Sequence, residues 1–233
     1  MKRVYLEITD ACNLNCPFCR YDKGNSFMTL SEIDDYTSQI AQFCSYIYLH
    51  VLGEPLLHPR FDEILDILDE KGFHLQLVTN GTLLNRYPDL LKHPCLRKLS
   101  ISIHSVSHLS IGRTYFDTID SLIESSESKT IELRFYNEKA LSEDLAEYRK
   151  QLISRYGLAK TRKSNSWKLK DSIYLYEEDF FRWPDLEDPI IGCEGSCHGA
   201  IDMIAINHEG KVCICCLDPK AINFIGDLKK GYA

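Results

Sequence analysis

Runs of alternating apolar and polar residues recur between residues 3 and 136, and helical periodicity fills the stretches between them. Alternation with a period of two is typical of strands, whereas apolar residues three or four positions apart are typical of amphipathic helices. The predicted strands cover residues 4–8, 46–52, 74–79, 98–104 and 131–136. The predicted helices cover residues 31–43, 60–71, 83–91, 115–124 and 141–156. Ser31 is the predicted N-cap of the first helix.

Five strand–helix units in succession predict a parallel sheet. The strands repeat about every 25 to 45 residues, the scale of a β–α–β unit, and right-handed crossovers curl such a sheet towards a barrel. A closed eight-unit barrel needs about 250 residues, more than this region contains, so we predict an α/β fold with a partial TIM-like barrel. Residues 171–176 are the candidate sixth strand, and residues 159–170 are predicted to form a polar, basic linker.

The pattern changes near residue 185. Two short apolar runs, residues 203–206 and 211–214, flank the turn sequence that ends at Gly210, and together they predict a β-hairpin. Five cysteines lie in this tail: Cys193, Cys197, Cys213, Cys215 and Cys216. We therefore predict a partial barrel over residues 1–185 and a small Cys-rich hairpin module over residues 186–233.

Composition is that of a globular protein, with 44% apolar and 26% charged residues. The net charge of −7 does not indicate a nucleic-acid-binding protein, and no apolar run approaches the length of a membrane span. The chain enters its first strand directly after Met1, so we expect no signal peptide and a cytoplasmic protein. Clustered cysteines then favour metal binding over disulfides, whereas the isolated Cys44 and Cys95 are expected to be buried thiols.

The loop after the first strand carries the strongest chemical signal. Cys12, Cys16 and Cys19 are separated by three and then two residues. Three thiolates at this spacing suit a metal or an iron–sulfur cluster, and in a 4Fe–4S cube they leave one iron without a protein ligand. That iron is then open to a small molecule. A zinc knuckle or three buried thiols are the alternatives, but zinc usually takes a fourth Cys or His at regular spacing, and none is nearby.

This spacing, with Phe18 directly before the last cysteine, resembles the signature of radical S-adenosylmethionine (radical SAM) enzymes. The resemblance implies an open six-unit barrel, a 4Fe–4S cluster on the three cysteines, and SAM chelated to the open iron. One electron then cleaves SAM, and the resulting 5′-deoxyadenosyl radical abstracts hydrogen from the substrate. It also implies a reductant such as flavodoxin or ferredoxin, and Phe18 packed near the adenine of SAM.

Gly53-Glu54-Pro55 follows the second predicted strand and resembles the family's GGEP element, with Leu52 replacing the first glycine. In parallel α/β folds ligands bind at the carboxyl ends of strands. The resemblance implies that Gly53 and Glu54 contact the SAM amino group, which a carboxylate favours electrostatically. The same tripeptide is also an ordinary turn sequence.

The fourth and fifth predicted strands offer further polar residues. The resemblance implies that Ser102 contacts the ribose or carboxylate of SAM. His104 replaces an acid of the family pattern, and it is either a proton donor near neutral pH or a structural histidine. Alternation points Arg134 inwards, where it needs an anion. That anion is either the SAM carboxylate or an internal acid such as Glu132.

The tail from Gly210 to Asp218 resembles the hairpin of the cluster-binding SPASM or twitch module, with Ile214 replacing a proline. The resemblance implies an auxiliary iron–sulfur cluster on Cys197 and Cys215, with Cys193 and Cys213 as substitutes for other ligands. Strand alternation puts Cys213 and Cys215 on one face and favours Cys213 as the fourth ligand. Zinc and an empty site are the alternatives.

We therefore expect a radical SAM enzyme, active without oxygen. Architecture implies a peptide or protein side chain as substrate, a small molecule being the alternative, and no nucleic-acid or membrane partner. Its reaction type, whether oxidation, crosslinking or epimerisation, and its catalytic hydrogen donors do not follow from these residues. The alternative from another class is a non-catalytic iron–sulfur or zinc-binding partner protein derived from such an enzyme.

Overall fold

The structure is a computed structural model that describes residues 1–19, 23–126, 129–136, 141–161, 165–179, 183–184, 187–189 and 194–230. Its strands are β1 (Arg3–Leu6), β2 (Tyr46–Tyr48), β3 (His74–Thr79), β4 (Leu96–Ser102), β5 (Thr130–Tyr136), β6 (Ala159–Lys160), β7 (Ser166–Lys170), β8 (Ile173–Glu178), β9 (Met203–Ile206), β10 (Lys211–Cys213) and β11 (Phe224–Asp227). Its α-helices are α1 (Leu30–Ile40), α2 (Phe61–Glu70), α3 (Arg113–Ser125) and α4 (Glu143–Tyr156). None of the helices in these ranges is long and apolar enough to cross a bilayer.

The chain folds into two compact units. The first unit comprises Met1–Asn13, Cys19–Leu75 and Arg182–Ala233. The second unit comprises Leu14–Phe18 and Gln76–Phe181. The division into a barrel and a tail at residue 185 stays a prediction.

The strands of the first unit run in the order β11-β10-β9-β1-β2. β1 is parallel to β2 on one side and to β9 on the other. β9 and β10 are antiparallel, which confirms the predicted hairpin. The sequence pattern did not predict that this hairpin extends the sheet through β1, because strand neighbours distant in sequence leave no local signal. It also missed β11, which is antiparallel to β10.

The strands of the second unit run in the order β3-β4-β5-β8-β7-β6. β4, β5 and β8 are parallel, which confirms the predicted α/β fold and the sixth strand. The prediction of a linker over residues 159–170 is wrong, because β6 and β7 form an antiparallel extension of β8 there. Leu169 is buried in it, with exposed Lys168 beside it, so a short alternating pattern was hidden among the basic residues.

Helix α1 begins at a capping box. Thr29 Oγ1 accepts a hydrogen bond from the Glu32 backbone N at 3.2 Å, and Glu32 Oε2 accepts one from the Thr29 backbone N at 2.9 Å. Such a pair satisfies two helix-end N–H groups. The predicted cap at Ser31 is therefore wrong by two residues. Ile33, Tyr36 and Ile40 recur at helical spacing and form the buried face, whereas Phe43, which continues the same spacing, lies beyond the helix and is 46% exposed.

The predicted helix over residues 83–91 is also wrong, because two 3₁₀ turns, Leu84–Arg86 and Leu90–Lys92, stand in its place. Pro88 lies between them, and a proline disfavours the α conformation of the preceding residue. The apolar side chains of the segment are nevertheless buried. The two isolated cysteines, Cys44 and Cys95, are buried as predicted.

Candidate functional site

The stretch after β1 contains Cys12, Cys16 and Cys19, and each of the three is partly buried and partly accessible. Cys16 belongs to the second unit, where its Sγ donates to the Ser105 backbone oxygen at 3.3 Å. In the described part of the chain, no three His, Cys, Asp or Glu side chains are already gathered as a metal site. The assignment of these thiols as ligands therefore stays a prediction, supported by their accessibility and spacing.

Residues 9–11, at the entrance to this loop, are held by hydrogen bonds among themselves and to Ser26, which follows the loop. Thr9 Oγ1 accepts from the Ala11 backbone N at 3.0 Å and donates to the Ser26 backbone oxygen at 2.6 Å. Asp10 Oδ1 accepts from the Ser26 backbone N at 2.8 Å. A Cβ added to Gly24 would lie only 1.7 Å from Asp10 Oδ2. The chain after the loop thus returns against the end of β1, which the sequence pattern did not reveal.

Gly53 lies directly against the same loop entrance. Its φ is +73°, and a Cβ there would lie 2.2 Å from the Thr9 backbone oxygen and 3.0 Å from that of Ala11. The next residue, Glu54, donates its backbone N–H to the Ala11 oxygen at 2.8 Å. Only glycine can adopt this left-handed conformation while its Cα lies so close to a neighbouring backbone oxygen. Gly53 thus lies against the residues just before Cys12, and its contact with the SAM amino group stays a prediction.

Glu54 is 1% exposed. Its Oε1 accepts from the Leu56 backbone N at 3.1 Å and so caps the 3₁₀ turn Pro55–Leu57. Sequence reasoning missed His58, which follows this turn. His58 Nε2 donates to the Met28 backbone oxygen at 2.8 Å, and its Nδ1 accepts from the Arg60 backbone N. Burial lowers the pKa of His58, so a neutral imidazole anchors the turn.

In the second unit, Ser102 is the last residue of β4 and pairs in register with Arg134 of β5. His104 follows and is 5% exposed. Its Nδ1 donates to the Arg134 backbone oxygen at 3.1 Å, because a carbonyl can only accept. Burial, reinforced by the Arg134 charge, lowers the pKa of His104 to about 3. His104 is therefore neutral near pH 7, which favours the structural histidine over the proton donor.

Phe18 packs against this histidine. The ring centroids of Phe18 and His104 are 5.6 Å apart, with the planes tilted by 59°. Together with the Cys16–Ser105 hydrogen bond, this contact ties the middle of the cysteine loop to the 3₁₀ turn Ile103–Val106. The packing of Phe18 against adenine stays a prediction.

Glu132, which sequence alternation offered as a partner for Arg134, has other contacts. It pairs with Lys98, and its Oε2 accepts from Ser100 Oγ at 3.3 Å. The Lys98 ammonium thus compensates a carboxylate that is 8% exposed. Arg134 is half-buried, and its assignment to the SAM carboxylate stays a prediction.

The tail cysteines are divided between two environments. Cys213 is 1% exposed in an apolar cluster with Tyr5, Val51, Ala205 and Ala221, and Cys216 packs against the same cluster. Burial raises the pKa of the Cys213 thiol to about 12. A Cβ added to Gly199, by contrast, would lie 3.3 Å from Cys197 Sγ and 3.5 Å from Cys215 Cβ.

β10 ends at Cys213, so strand alternation does not extend to Cys215. Cys197 and Cys215 flank Gly199, whose backbone N–H donates to Cys197 Sγ at 3.3 Å. Cys193 lies outside the described residues. The tail ligand set stays a prediction, and Cys213 is its most buried member.

The family model of the radical SAM superfamily matches residues 6–127, from β1 through α3. The chain belongs to the radical SAM superfamily. Enzymes of this superfamily use a 4Fe–4S cluster and SAM as their cofactors. The three accessible thiols of one loop fit such a cluster, because iron–sulfur clusters are held by Cys thiolates.

Curated relatives match this radical SAM chain over part of their length. It is 37% identical over 90 residues to the tungsten-containing aldehyde ferredoxin oxidoreductase cofactor-modifying protein of Pyrococcus furiosus, which covers 36% of this chain and 25% of that protein. It is 28% identical over 116 residues to the GTP 3′,8-cyclase of Aquifex aeolicus, covering 46% of this chain and 36% of that one. The chain thus spans about a quarter to a third of the length of these two proteins.

A solved structure of similar fold is Streptococcus suis SuiB bound to the precursor peptide SuiA. The similarity covers 97% of this chain and 62% of the SuiB chain, with a TM-score of 0.56 and 13% sequence identity. At that identity the likeness is one of fold alone. Because the similarity covers 97% of this chain, it includes the tail.

Proposed function

We propose that this protein is a catalytically active radical SAM enzyme and that Cys12, Cys16 and Cys19 hold its cluster. The observation that carries the proposal is the construction of the loop. Its three thiols are partly accessible. The backbone at its entrance packs against Gly53, at a position that has no space for any side chain. An intact three-cysteine loop together with the Gly53–Glu54 segment argues against a degenerate, non-catalytic iron–sulfur or zinc-binding protein.

When bound, the cluster and SAM supply a radical that abstracts hydrogen from the substrate. The chain's own residues bind and orient. Gly53 and the buried Glu54 are proposed to meet the SAM amino group. In the second unit, Ser102 and Arg134 are proposed to contact the ribose or carboxylate of SAM, and Phe18 its adenine.

A hydrogen bond supports the role of Arg134. His104 Nδ1 donates to the Arg134 backbone oxygen and holds that part of β5 in place.

We propose a peptide or protein side chain as the substrate. The fold similarity to SuiB, solved with a precursor peptide, supports this class. The Aquifex aeolicus relative is a GTP cyclase, and a nucleotide is therefore the small-molecule alternative. Stimulation of SAM cleavage by a random peptide pool, and not by GTP, is the expected result. Stimulation by GTP alone would contradict the peptide assignment.

For the tail we propose an auxiliary iron–sulfur cluster with Cys197 and Cys215 as ligands and with Cys193 and Cys213 as further candidates. The pairing of Cys197 and Cys215 around Gly199 supports the first two. Zinc bound by the tail, or no metal, is the outcome that would contradict the cluster. We further propose a cytoplasmic location, a flavodoxin or ferredoxin as reductant, and a barrel–tail division at residue 185.

Production of 5′-deoxyadenosine from SAM tests the proposed function. We expect anaerobically reconstituted, dithionite-reduced protein to produce it, and Cys12→Ala/Cys16→Ala/Cys19→Ala to produce none. A fully loaded wild-type protein that leaves SAM intact would support the non-catalytic alternative instead.

A further inference from the structure

A buried carboxylate links the hairpin of the tail to the strand that leads into Gly53. Glu7 follows β1, and its side chain is fully buried. Its Oε1 accepts from Nδ1 of His208, in the β9–β10 turn, at 2.6 Å. Its Oε2 accepts from the Leu52 backbone N at 2.8 Å. One carboxylate therefore joins the tail to the backbone N–H of Leu52, the residue before Gly53.

The charges around His208 favour its imidazolium form. Its Nε2 lies 3.4 Å from Asp10 Oδ2, and Glu209 is its neighbour in the turn. The hydrogen bond to Glu7 is the main cause that raises the pKa of His208 above its ordinary value, with Asp10 and Glu209 adding to it and burial opposing it. A fully buried carboxylate needs such a counter-charge, because an unpaired charge is costly to bury.

The Gly53 segment is held from two sides. Glu7 fixes the N–H of Leu52 on one side, and the Ala11 backbone oxygen accepts the N–H of Glu54 on the other. Between these two hydrogen bonds, Gly53 keeps its left-handed φ of +73°. Loss of the Glu7–Leu52 bond would leave this conformation supported from one side alone.

We propose that His208, acting through Glu7, is a positioning residue for the SAM-binding segment Gly53–Glu54, so that the tail hairpin sets the affinity for SAM. This inference rests on the proposed role of Gly53 and Glu54. Without the His208 charge, the buried Glu7 carboxylate has lost its counter-charge and draws in water. Hydration weakens its hydrogen bond to the Leu52 N–H and lets Gly53 leave the geometry that receives the SAM amino group.

The test compares His208→Gln and His208→Ala with the control His198→Gln. His198 lies in the same tail and pairs with an acid, Asp202 at 2.9 Å, but its side chain is 68% exposed. SAM binding is measured by calorimetry on anaerobic, cluster-loaded protein, with iron content determined in parallel. We expect about tenfold weaker binding in both His208 variants, the size of one lost charged hydrogen bond. Iron content should stay at the wild-type level, and the control should bind like wild type.

A pH profile distinguishes positioning from a merely structural role. The charged form of His208 is present below its raised pKa, so SAM affinity in wild type and His198→Gln should fall as the pH rises through that value. His208→Gln should lack this component. Hydrogen exchange at the Leu52 amide, measured in the loaded protein, should be faster in both His208 variants.

Wild-type affinity and a wild-type pH profile in His208→Gln would overturn the inference while leaving the proposed function intact. Unchanged exchange at Leu52 in His208→Ala would overturn it as well. A cluster-loaded wild-type protein that binds no SAM would refute the proposed function itself, and the inference with it.

Discussion

The two cysteine-rich regions of this chain differ in what surrounds their thiols. Cys12, Cys16 and Cys19 lie outside any strand or helix, and all three are half-buried. In the tail, Cys213 lies at the end of a strand inside an apolar cluster, whereas Cys197 is exposed. Both regions are rich in cysteine, yet only the first keeps all its thiols accessible. Local structure therefore discriminates candidate ligands better than spacing does.

The largest loss of activity is expected from substituting the accessible cysteines of the first region. Cys12→Ser, Cys16→Ser and Cys19→Ser should each abolish 5′-deoxyadenosine formation, by at least about a hundredfold, because a cluster iron loses its thiolate. Iron content and product formation are measured on reconstituted protein. Cys95→Ser serves as the control, since its thiol is buried and lies outside this loop. Full activity in any of the three loop variants would remove that residue from the ligand set.

Gly53→Ala tests the packing of Gly53 against the backbone at the entrance of the cysteine loop. The variant combines a left-handed φ with a Cβ placed 2.2 Å from a backbone oxygen. We expect a loss of about 2–4 kcal/mol in stability or an equivalent loss of SAM affinity. Gly72→Ala is the matched control, because Gly72 has φ +72° but no atom within 4 Å of the added Cβ. Its cost should be limited to about 1 kcal/mol of conformational strain. Equal effects of the two substitutions in urea unfolding and SAM binding would show that the contact with the loop is unimportant.

Cys213→Ser and Cys215→Ser separate the two environments of the tail. Cys213→Ser should lower the free energy of unfolding by about 1–3 kcal/mol, because a hydroxyl is more polar than the thiol and costs more to bury in this apolar cluster. Cys215→Ser should leave stability nearly unchanged and lower tail-bound metal. Urea unfolding and metal analysis of the same preparations measure both. The reverse pattern would make Cys213 the ligand and Cys215 the structural residue.

His104 makes the middle of the cysteine loop sensitive to acid. Its folded-state pKa of about 3 lies below the ordinary value of 6.5. Below pH 6.5, His104 binds a proton in the unfolded chain but not in the folded chain. The free energy of unfolding therefore decreases as the pH falls below 6.5. This residue alone should make the protein about 2 kcal/mol less stable at pH 5 than at pH 7. Urea unfolding at both values should show a smaller difference for His104→Asn, and an unchanged difference would refute the burial argument.

Local sequence patterns predicted most elements of the fold. The parallel strands, α2, α3, α4 and the tail hairpin follow from periodicity and turn residues within each segment. Predictions of helix ends were less accurate, because a helix end depends on a few hydrogen bonds. The N-cap of α1 is Thr29 and not Ser31, because Thr29 is the residue three positions before Glu32.

The missed parts of the site depend on contacts between distant residues. The hydrogen bond between Glu7 and His208 joins residues at opposite ends of the chain, and neither residue belongs to a motif. His58 likewise shows its role only through the Met28 oxygen that it binds. Motif spacing identified the cysteine loop and the Gly-Glu segment because their residues are adjacent in sequence.

The central claim is that Cys12, Cys16 and Cys19 hold the cluster that cleaves SAM. Its most direct test is iron and sulfide content with EPR, together with 5′-deoxyadenosine formation, on anaerobically reconstituted wild type and the triple alanine variant. We expect a cluster and product in wild type. In the variant we expect no product and no iron beyond what the tail binds. A wild type without a cluster, or a triple variant that still forms 5′-deoxyadenosine, would contradict it.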